Sequence, residues 1–248
     1  MIRRNIIFLF ACVAIIGSVN AQVRPGIKLG YNLSGVMADY TGKDAKNPYN
    51  LSNPDNFHLK SGFQAGLIAD CPISDVLAIQ PGVRFALQGF TDKYSSGGPS
   101  GATVIRKFSL YYVQVPVYVQ YRWNVYEETN VLFQAGPYAS FGLFGRQSYT
   151  RNAKQQDLSS EQKKITFGKG TAKDIQKNMD YGISAGVGIE FYRFQFVVAY
   201  DFGLNKVPFD KPKAYSGAYK VDMRNHNLSV TLGVVFGKRD PLQKQKDF

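Results

Sequence analysis

The sequence predicts an all-β protein, an eight-stranded antiparallel up-and-down barrel whose strands cross a membrane. Three observations support this fold class: apolar and polar residues alternate, the alternating segments are long, and the connections between them alternate between long and short. A period of two places successive side chains on opposite faces of a strand. A tilted strand needs about 9–11 residues to span a bilayer, so long alternating segments indicate transmembrane strands.

The alternation is clearest in residues 110–122. The face that carries Tyr112, Gln114 and Gln120 is largely polar, and the opposite face is apolar. The apolar face consists of Val113, Val115, Val117, Val119 and Tyr121. This pattern is typical of a strand with one side toward an apolar environment, and the segment is longer than most strands of soluble proteins.

The same alternation predicts seven further strands. With residues 110–122 as the fourth, the predicted strands are 26–36, 59–71, 77–90, 110–122, 130–145, 179–192, about 194–205, and 227–236. The first three have apolar faces that include Leu29, Phe63 and Phe85. The last three have apolar faces that include Ile189 and Val230, opposite glycine and small polar residues. No long helical pattern or internal repeat competes with this assignment.

The predicted connections fall into two classes by length. Short links separate strands two and three, four and five, and six and seven. The long connections are residues 38–58, 92–102, 146–178 and 208–222. In an up-and-down barrel this alternation places the short turns at the end where the chain enters and the long loops at the far end.

The amino terminus has the pattern of a cleaved export signal. A basic start precedes an apolar stretch at residues 6–16, and Ala21 is a small residue suited to cleavage. The apolar stretch is shorter than the roughly 20 residues of a spanning helix. We therefore expect residues 1–21 to be a cleaved signal peptide, residues 22–237 to form the barrel, and residues 238–248 to be a charged periplasmic tail.

The charge and the cysteine content indicate which classes of partner the exported chain could bind and how its fold is held together. The formal net charge of +12 suits lipid phosphates, acidic saccharides or acidic protein surfaces. No nucleic-acid-binding motif accompanies this charge, so nucleic acid is not an expected partner. After cleavage Cys71 is the only cysteine, so no intrachain disulfide can form and the hydrogen-bond ladder or the core must hold the fold.

Side-chain volume predicts which face of the barrel points outward. The interior of an eight-stranded barrel is just wide enough for side chains to fill. The apolar faces are too bulky for that space, since they carry Phe63, Phe85, Phe133, Phe141, Phe191, Phe196, Phe202 and Phe236. The opposite faces are rich in glycine, alanine, serine, glutamine and asparagine. We therefore expect the apolar faces to contact lipid.

The interior faces also carry charges of both signs. We predict a polar plug in the lumen formed by Lys28, Asp70, Arg84, Gln114, Glu190 and Asp201, with Lys60 also facing inward. Buried charges persist when they are paired, and Lys28 and Asp70 lie near the same end of neighbouring strands, which makes them the expected pair. A proton or ion pathway is the alternative, and the small lumen favours the plug.

Two further features bear on the strands. Pro81, Pro116 and Pro137 fall inside predicted strands, where proline removes a ladder donor, so we expect local bulges there.

Aromatic residues near strand ends are typical of interfacial girdles, and the candidates are Tyr94, Tyr121, Trp123 and Tyr192.

Several motifs are similar to those of a known family. They are residues 25–34 (PGIKLGYNLS), 62–66 (GFQAG), 77–82 (LAIQPG), 112–117 (YVQVPV), 135–138 (AGPY) and 181–186 (YGISAG). In these motifs the chain resembles the PorT-like outer-membrane β-barrel proteins of Bacteroidota-type Gram-negative bacteria. Gln114 stands where such proteins often have glutamate, and the tail after Phe236 is longer than usual.

The resemblance implies a location in the outer membrane and a structural or accessory role. It supplies no catalytic residues, and it associates the chain with protein export by the type IX secretion system, whose components would then be protein partners. The motifs specify the fold more closely than the role. A lipid-modifying enzyme, a narrow channel and an adhesin are the alternatives.

The sequence contains little that indicates catalysis. Its histidines are His58 and His226, and His226 has Leu228 where a barrel deacylase would have the serine of its His-x-Ser spacing. These residues and Cys71 form no metal-ligand set. We expect no catalytic residue, no metal and no cofactor.

The predicted loop at residues 146–178 is strongly basic. Lipopolysaccharide phosphates or an acidic partner are the candidate ligands, since cations beside anionic headgroups are attracted to them. A solvated surface loop is the equally weighted alternative. The candidate contact residues are Arg146, Arg151, Lys154, Lys163, Lys164 and Lys169.

Overall fold

A computed structural model describes residues 23–41, 57–95, 103–153, 156–165, 167, 178–208 and 220–237. The predicted signal peptide at residues 1–21 and the predicted tail at residues 238–248 lie outside the described residues. Within the described ranges, no helix has the length and apolar character needed to cross a membrane.

Ten strands make up nearly all of the described backbone. In chain order they are β1 (Arg24–Thr41), β2 (Phe57–Pro72), β3 (Leu77–Ser95), β4 (Thr103–Tyr126), β5 (Thr129–Ala153), β6 (Gln156–Ile165), β7 (Met179–Phe191), β8 (Phe194–Gly203), β9 (Val207–Pro208) and β10 (Lys220–Val235).

Eight of these strands form a closed antiparallel ring. Their order is β1-β2-β3-β4-β5-β7-β8-β10, and β10 pairs back to β1 over most of its length. The remaining two are accessory strands, because β6 pairs with β5 and the two-residue β9 pairs with β10. The predicted eight-stranded up-and-down barrel is confirmed.

Burial alternates along the strands, and the apolar side chains occupy the exposed face. Leu29 is 60% exposed and Phe63 is 69% exposed, whereas Asn32 and Asp70, on the opposite face of the same two strands, are 0% exposed. An exposed apolar band around a closed barrel is the surface that contacts lipid. The predicted orientation of the faces is confirmed.

The short turns lie at one end of the barrel. They join β2 to β3, β4 to β5 and β7 to β8, and two of them contain residues with positive φ, Glu127 at 36° and Tyr192 at 53°, as tight hairpin turns commonly do. Both ends of the ring, Arg24 and Val235, are also here. This is the end that faces the periplasm in outer-membrane barrels.

Exposed aromatic side chains mark the same end. Trp123 and Tyr192 are each 60% exposed and Tyr121 is 44% exposed, which fits the predicted girdle. The side chain of Tyr94 lies outside the described part of the chain.

The prolines do not produce the predicted bulges. Pro81 pairs with Val117 in the register that β3 and β4 keep on either side, and Pro137 lies in an unbroken register against β7. The register shifts occur elsewhere, for example between Tyr111 and Tyr112. The prediction of bulges at Pro81, Pro116 and Pro137 was therefore wrong.

The backbones of β4 and β5 approach closely beside Pro137. At Gly136, next to Pro137, a Cβ atom would come within 1.9 Å of the Val117 carbonyl oxygen. Only glycine permits this approach. At Pro81, the β3–β4 ladder keeps its register and loses only the pairs between Pro81 and Arg84.

The excursion at residues 146–178 is not simply a loop. β5 continues to Ala153 and has 25 residues, and β6 returns alongside it, with Arg146 opposite Lys164. Since about 9–11 residues suffice to cross a bilayer, the β5–β6 hairpin extends well past the apolar band. The loop prediction was wrong for residues 146–153 and 156–165, because the sequence of a hairpin outside lipid has no alternating apolar face to reveal it.

The orientation of the apolar face predicts a position-dependent effect of a charge. Phe63 lies in the middle of the lipid-facing side chains of β2. Phe63→Arg places a cation there, so we expect the free energy of unfolding to fall by about 2–4 kcal/mol. Val76→Arg, in an exposed turn, is expected to cost about 0–1 kcal/mol. Urea unfolding in lipid vesicles measures both, and equal losses would contradict the outward orientation.

Candidate functional site

The periplasmic end of the lumen contains a network centred on Asp70. Its carboxylate accepts hydrogen bonds from Arg24 Nε at 2.9 Å on Oδ2 and from Arg122 Nη2 at 2.5 Å on Oδ1. Arg24 Nη2 also contacts Oδ2. The side chains of Asp70 and Arg122 are fully buried, so each charge depends on its partners instead of water.

Arg122 continues the network to the opposite wall. Its Nε lies 3.4 Å from Oε2 of Glu190, and the same oxygen accepts a hydrogen bond from Gln195 Nε2 at 2.6 Å. β2, β4, β7 and β8 are thus linked across the lumen by one set of side chains. Cross-lumen links of this kind fix the relative positions of strands that are not neighbours in the ring.

A layer of amides lies against these ions. Gln80 and Gln120 exchange hydrogen bonds of 3.3 and 3.1 Å, and Gln120 Nε2 also donates to Gln134 Oε1 at 3.2 Å. Gln80 and Gln120 are both 0% exposed. Amides donate and accept together, so they connect the charged groups without adding net charge.

Lys28 does not pair with Asp70 as predicted. Its Nζ donates to Gln80 Oε1 at 2.5 Å, and both oxygens of Asp70 are occupied by arginines. The predicted pair was wrong because Arg24, which precedes the predicted first strand, is the residue directly opposite Asp70. Lys60, also predicted to face inward, donates to Ser109 Oγ at 2.8 Å.

A second ionic group occupies the middle of the lumen. Arg84 Nη2 contacts Asp201 Oδ2 at 2.5 Å, and Arg84 Nε donates to Gln114 Oε1 at 3.0 Å. Asn227 Nδ2 donates to the same Asp201 oxygen at 3.1 Å. The structure therefore places all six predicted plug residues in the lumen, divided between two groups.

The outer part of the lumen is closed by apolar side chains that the sequence analysis did not assign to it. They form one buried cluster of Val36, Phe90, Phe108, Leu110, Tyr112, Ile165 and Met223, with Phe167 packed against it. The Phe90 and Phe108 rings stack with centroids 4.5 Å apart. The alternation of β4 could have predicted part of this cluster, since Phe108 and Leu110 are in phase with the inward Tyr112.

A small cavity lies between the amide layer and the second ionic group. A cavity of about 30 Å³ is lined by residues that include Lys28, Gln64, Arg84 and Tyr118. This volume holds about two water molecules. Both amide atoms of the buried Gln64 lack a protein partner, so water is the expected occupant.

Two central residues of the plug were missed by sequence reasoning. Arg122 is in phase with the inward Gln114 and Gln120, and extending the alternation by one step would have found it. Arg24 is in phase with Lys28 but lies before the predicted start of the first strand, at Gly26. Both are buried, at 1% and 4% exposure respectively.

The basic candidates whose side chains the structure describes lie outside the lumen. Arg146, Lys163 and Lys164 are exposed on the β5–β6 hairpin. The side chain of Arg151, together with Lys154 and Lys169, lies outside the described residues. The structure therefore brings three of the six predicted contact residues together.

The histidines lie apart from any catalytic or metal arrangement. His226 is half-buried, packs beside Tyr200 with ring centroids 6.1 Å apart, and is out of phase with the inward Asn227 and Ser229. His58 is exposed near the start of β2. Among the described residues, no group of histidine, cysteine and acidic side chains is arranged to hold a metal ion.

Comparison with known proteins identifies relatives of this barrel. The family described as outer membrane protein beta-barrel domain matches residues 15–207. No curated protein matches the chain in sequence.

The chain is also similar to several solved structures at low sequence identity. Ail of Yersinia pestis is 14% identical with a TM-score of 0.37, and the match covers 86% of this chain and 99% of Ail. OprG of Pseudomonas aeruginosa is 13% identical with a TM-score of 0.45, over 88% of this chain and 98% of OprG. The Neisserial surface protein A is 14% identical with a TM-score of 0.40, over 86% and 97%.

The position of Asp70 between two arginines predicts a large effect of its charge. Asp70→Asn removes the carboxylate that two buried guanidinium groups share and leaves Arg122 only Glu190, 3.4 Å away, so we expect the free energy of unfolding to fall by about 3–5 kcal/mol. Asp75→Asn makes the same change in an exposed turn and is expected to cost less than about 0.5 kcal/mol. Urea titration followed by Trp123 fluorescence distinguishes them; equal stabilities would contradict the role of Asp70.

Proposed function

The chain belongs to the family of outer membrane proteins with a β-barrel domain, and from this premise we propose that it is a structural or accessory protein of the outer membrane. In this role the barrel anchors its outer hairpins, and the chain that follows β10, at the membrane, where they meet protein partners. Neither transport through the lumen nor catalysis is part of the proposed function.

The filled lumen is the observation that carries this proposal. Arg122 and Asp70 bridge the periplasmic end, and the stacked rings of Phe90 and Phe108 lie in the apolar cluster toward the outer end. The cavity of about 30 Å³ beside Lys28 and Arg84 is too small to hold a continuous row of hydrated ions. A barrel filled in this way gains rigidity from its interior, which suits an anchor better than a pore.

The position of His226 supports a role without catalysis. A general base must reach the proton that it abstracts and usually has an orienting partner. His226 points out of phase with the lumen and packs beside Tyr200. The nearby Ser229 faces inward and donates to the Ala199 carbonyl oxygen, so the two side chains lie on opposite faces of β10.

The resemblance to PorT-like proteins supports a more specific role in type IX secretion. It rests on the motifs of the membrane strands, among them residues 112–117 and 181–186, which here build the barrel wall. The extension of β4 and β5 past the apolar band supplies a surface for partners, since these strands have 24 and 25 residues.

The filled lumen predicts the electrical behaviour of the protein. Purified protein in planar bilayers is expected to give no stable conductance, because ions would have to displace the Arg122–Asp70 and Arg84–Asp201 pairs. Arg84→Ala is the informative variant, since it removes a side chain from the middle of the lumen. Stable wild-type channels whose conductance changes in Arg84→Ala would support a channel and contradict the proposal.

The secretion role predicts a defined deletion phenotype. A deletion strain is expected to stop secreting type IX cargo while keeping its other outer-membrane proteins, and the wild-type chain should restore secretion. The His226→Ala variant should restore it equally well, because catalysis is not required. Normal secretion in the deletion strain would contradict the type IX role, and lipid A modification that vanishes in His226→Ala would favour an enzyme.

A further inference from the structure

The barrel wall forks where β5 changes its partner. β5 pairs with β7 up to Phe141 opposite Met179, and with β6 from Gly145 opposite Ile165. Between these pairs, at residues 142–144, the ladders with β7 and β6 are interrupted, and Gly142 N donates to the Asn178 carbonyl oxygen at 2.6 Å. A cavity of about 810 Å³ opens at this fork. We call it the fork cavity, and its lining includes Leu143, Phe144, Arg146, Lys163, Lys164 and Phe167.

One part of the fork cavity is cationic. Arg146 lies directly opposite Lys164 in the β5–β6 ladder, and Lys163 is the next residue along β6. Like charges directly opposite each other destabilise a strand pair. None of the ion pairs formed by described residues involves Arg146 or Lys164. An anion bound between the two would offset their repulsion.

The other part of the fork cavity is apolar and belongs to the lipid-facing surface. Leu143 is 50% exposed and Phe144 is 39% exposed. The Phe144 ring stacks on Tyr111 with centroids 4.4 Å apart. Leu143 and Phe144 on β5, and Tyr111 on β4, are the last large apolar side chains on the lipid-facing side before the cations Arg146 and Lys107. They therefore mark the outer edge of the apolar band.

This arrangement places cations at the level of lipid headgroups. We propose that the fork cavity binds a phosphate-bearing lipid of the outer leaflet, with its phosphate on Arg146 and Lys164 and an acyl chain against Leu143 and Phe144. Arginine and lysine are the residues that proteins use for phosphate recognition. The apolar side chains favour a lipid over a soluble phosphate, because a soluble anion gains nothing from Leu143. The site is independent of the secretion role.

Binding of lipid A to the full-length barrel in detergent micelles, measured by titration, tests the proposal. We expect Arg146→Gln to weaken binding about tenfold or more, since hydrogen bonds between charged groups are the strong ones. Lys93→Gln is the matched control, because Lys93 is an exposed cation on the outer part of β3. It should change the affinity less than about twofold. Resistance of the folded barrel to detergent at room temperature verifies that both variants are folded.

A second arm distinguishes a lipid from a soluble anion. Leu143→Ser is expected to weaken lipid A binding several-fold while leaving any binding of inorganic phosphate unchanged, and dephosphorylated lipid A should bind weakly to the wild type. Equal losses in Arg146→Gln and Lys93→Gln would overturn the proposal. Inorganic phosphate binding as tightly as lipid A, with no effect of Leu143→Ser, would overturn the lipid assignment, as would the absence of lipid A binding by the wild type.

Discussion

Backbone hydrogen bonding in hydrocarbon is the constraint on which this structure depends. Lipid tails offer no partner to an unpaired amide or carbonyl group, so a sheet that crosses the membrane must close on itself. The pairing of β1 with β10 provides that closure, from Gly26 opposite Val235 to Thr41 opposite Lys220. With no disulfide available to the described chain, whose free cysteine is Cys71, the ladder itself holds the ring shut.

The contents of the lumen follow from closure with eight strands. A ring of this size has an interior that side chains can fill, and the large rings must then lie outside. Charges that enter such a space need ionic or hydrogen-bonding partners, because each uncompensated ion costs several kcal/mol. Asp70 meets this requirement with Arg24 and Arg122, and Asp201 meets it with Arg84. The same pairs tie opposite walls together.

The lumen changes character along the barrel axis. Ions and amides occupy the periplasmic and middle parts, whereas the outer part contains an apolar cluster that includes Ile165 at the end of β6, with the Arg106–Asp92 ion pair beside it. Ile165 reaches the lumen only because β5 exchanges β7 for β6 beyond Phe141. The fork in the wall therefore has two consequences: it contributes to closing the lumen, and it leaves a cavity at the edge of the lipid band where cations and apolar side chains meet.

The sequence by itself determined the strands of the ring, the two classes of connection and the faces of each strand. It could do so because alternation is a local property: residues two apart share a face whatever the rest of the chain does. That is why the outward position of Phe63 and the inward positions of Gln114 and Glu190 were predictable.

Only the tertiary structure decided which inward groups meet. Contacts across the lumen depend on register, tilt and ring closure, which join residues such as Arg122 and Glu190 that are distant in sequence. Arg24 instead of Lys28 pairs with Asp70 because the β1–β2 register places it directly opposite. The β5–β6 hairpin was hidden for a related reason. Apart from Ile165, which enters the lumen, β6 is mainly polar in sequence, so only its pairing with β5 reveals the structure.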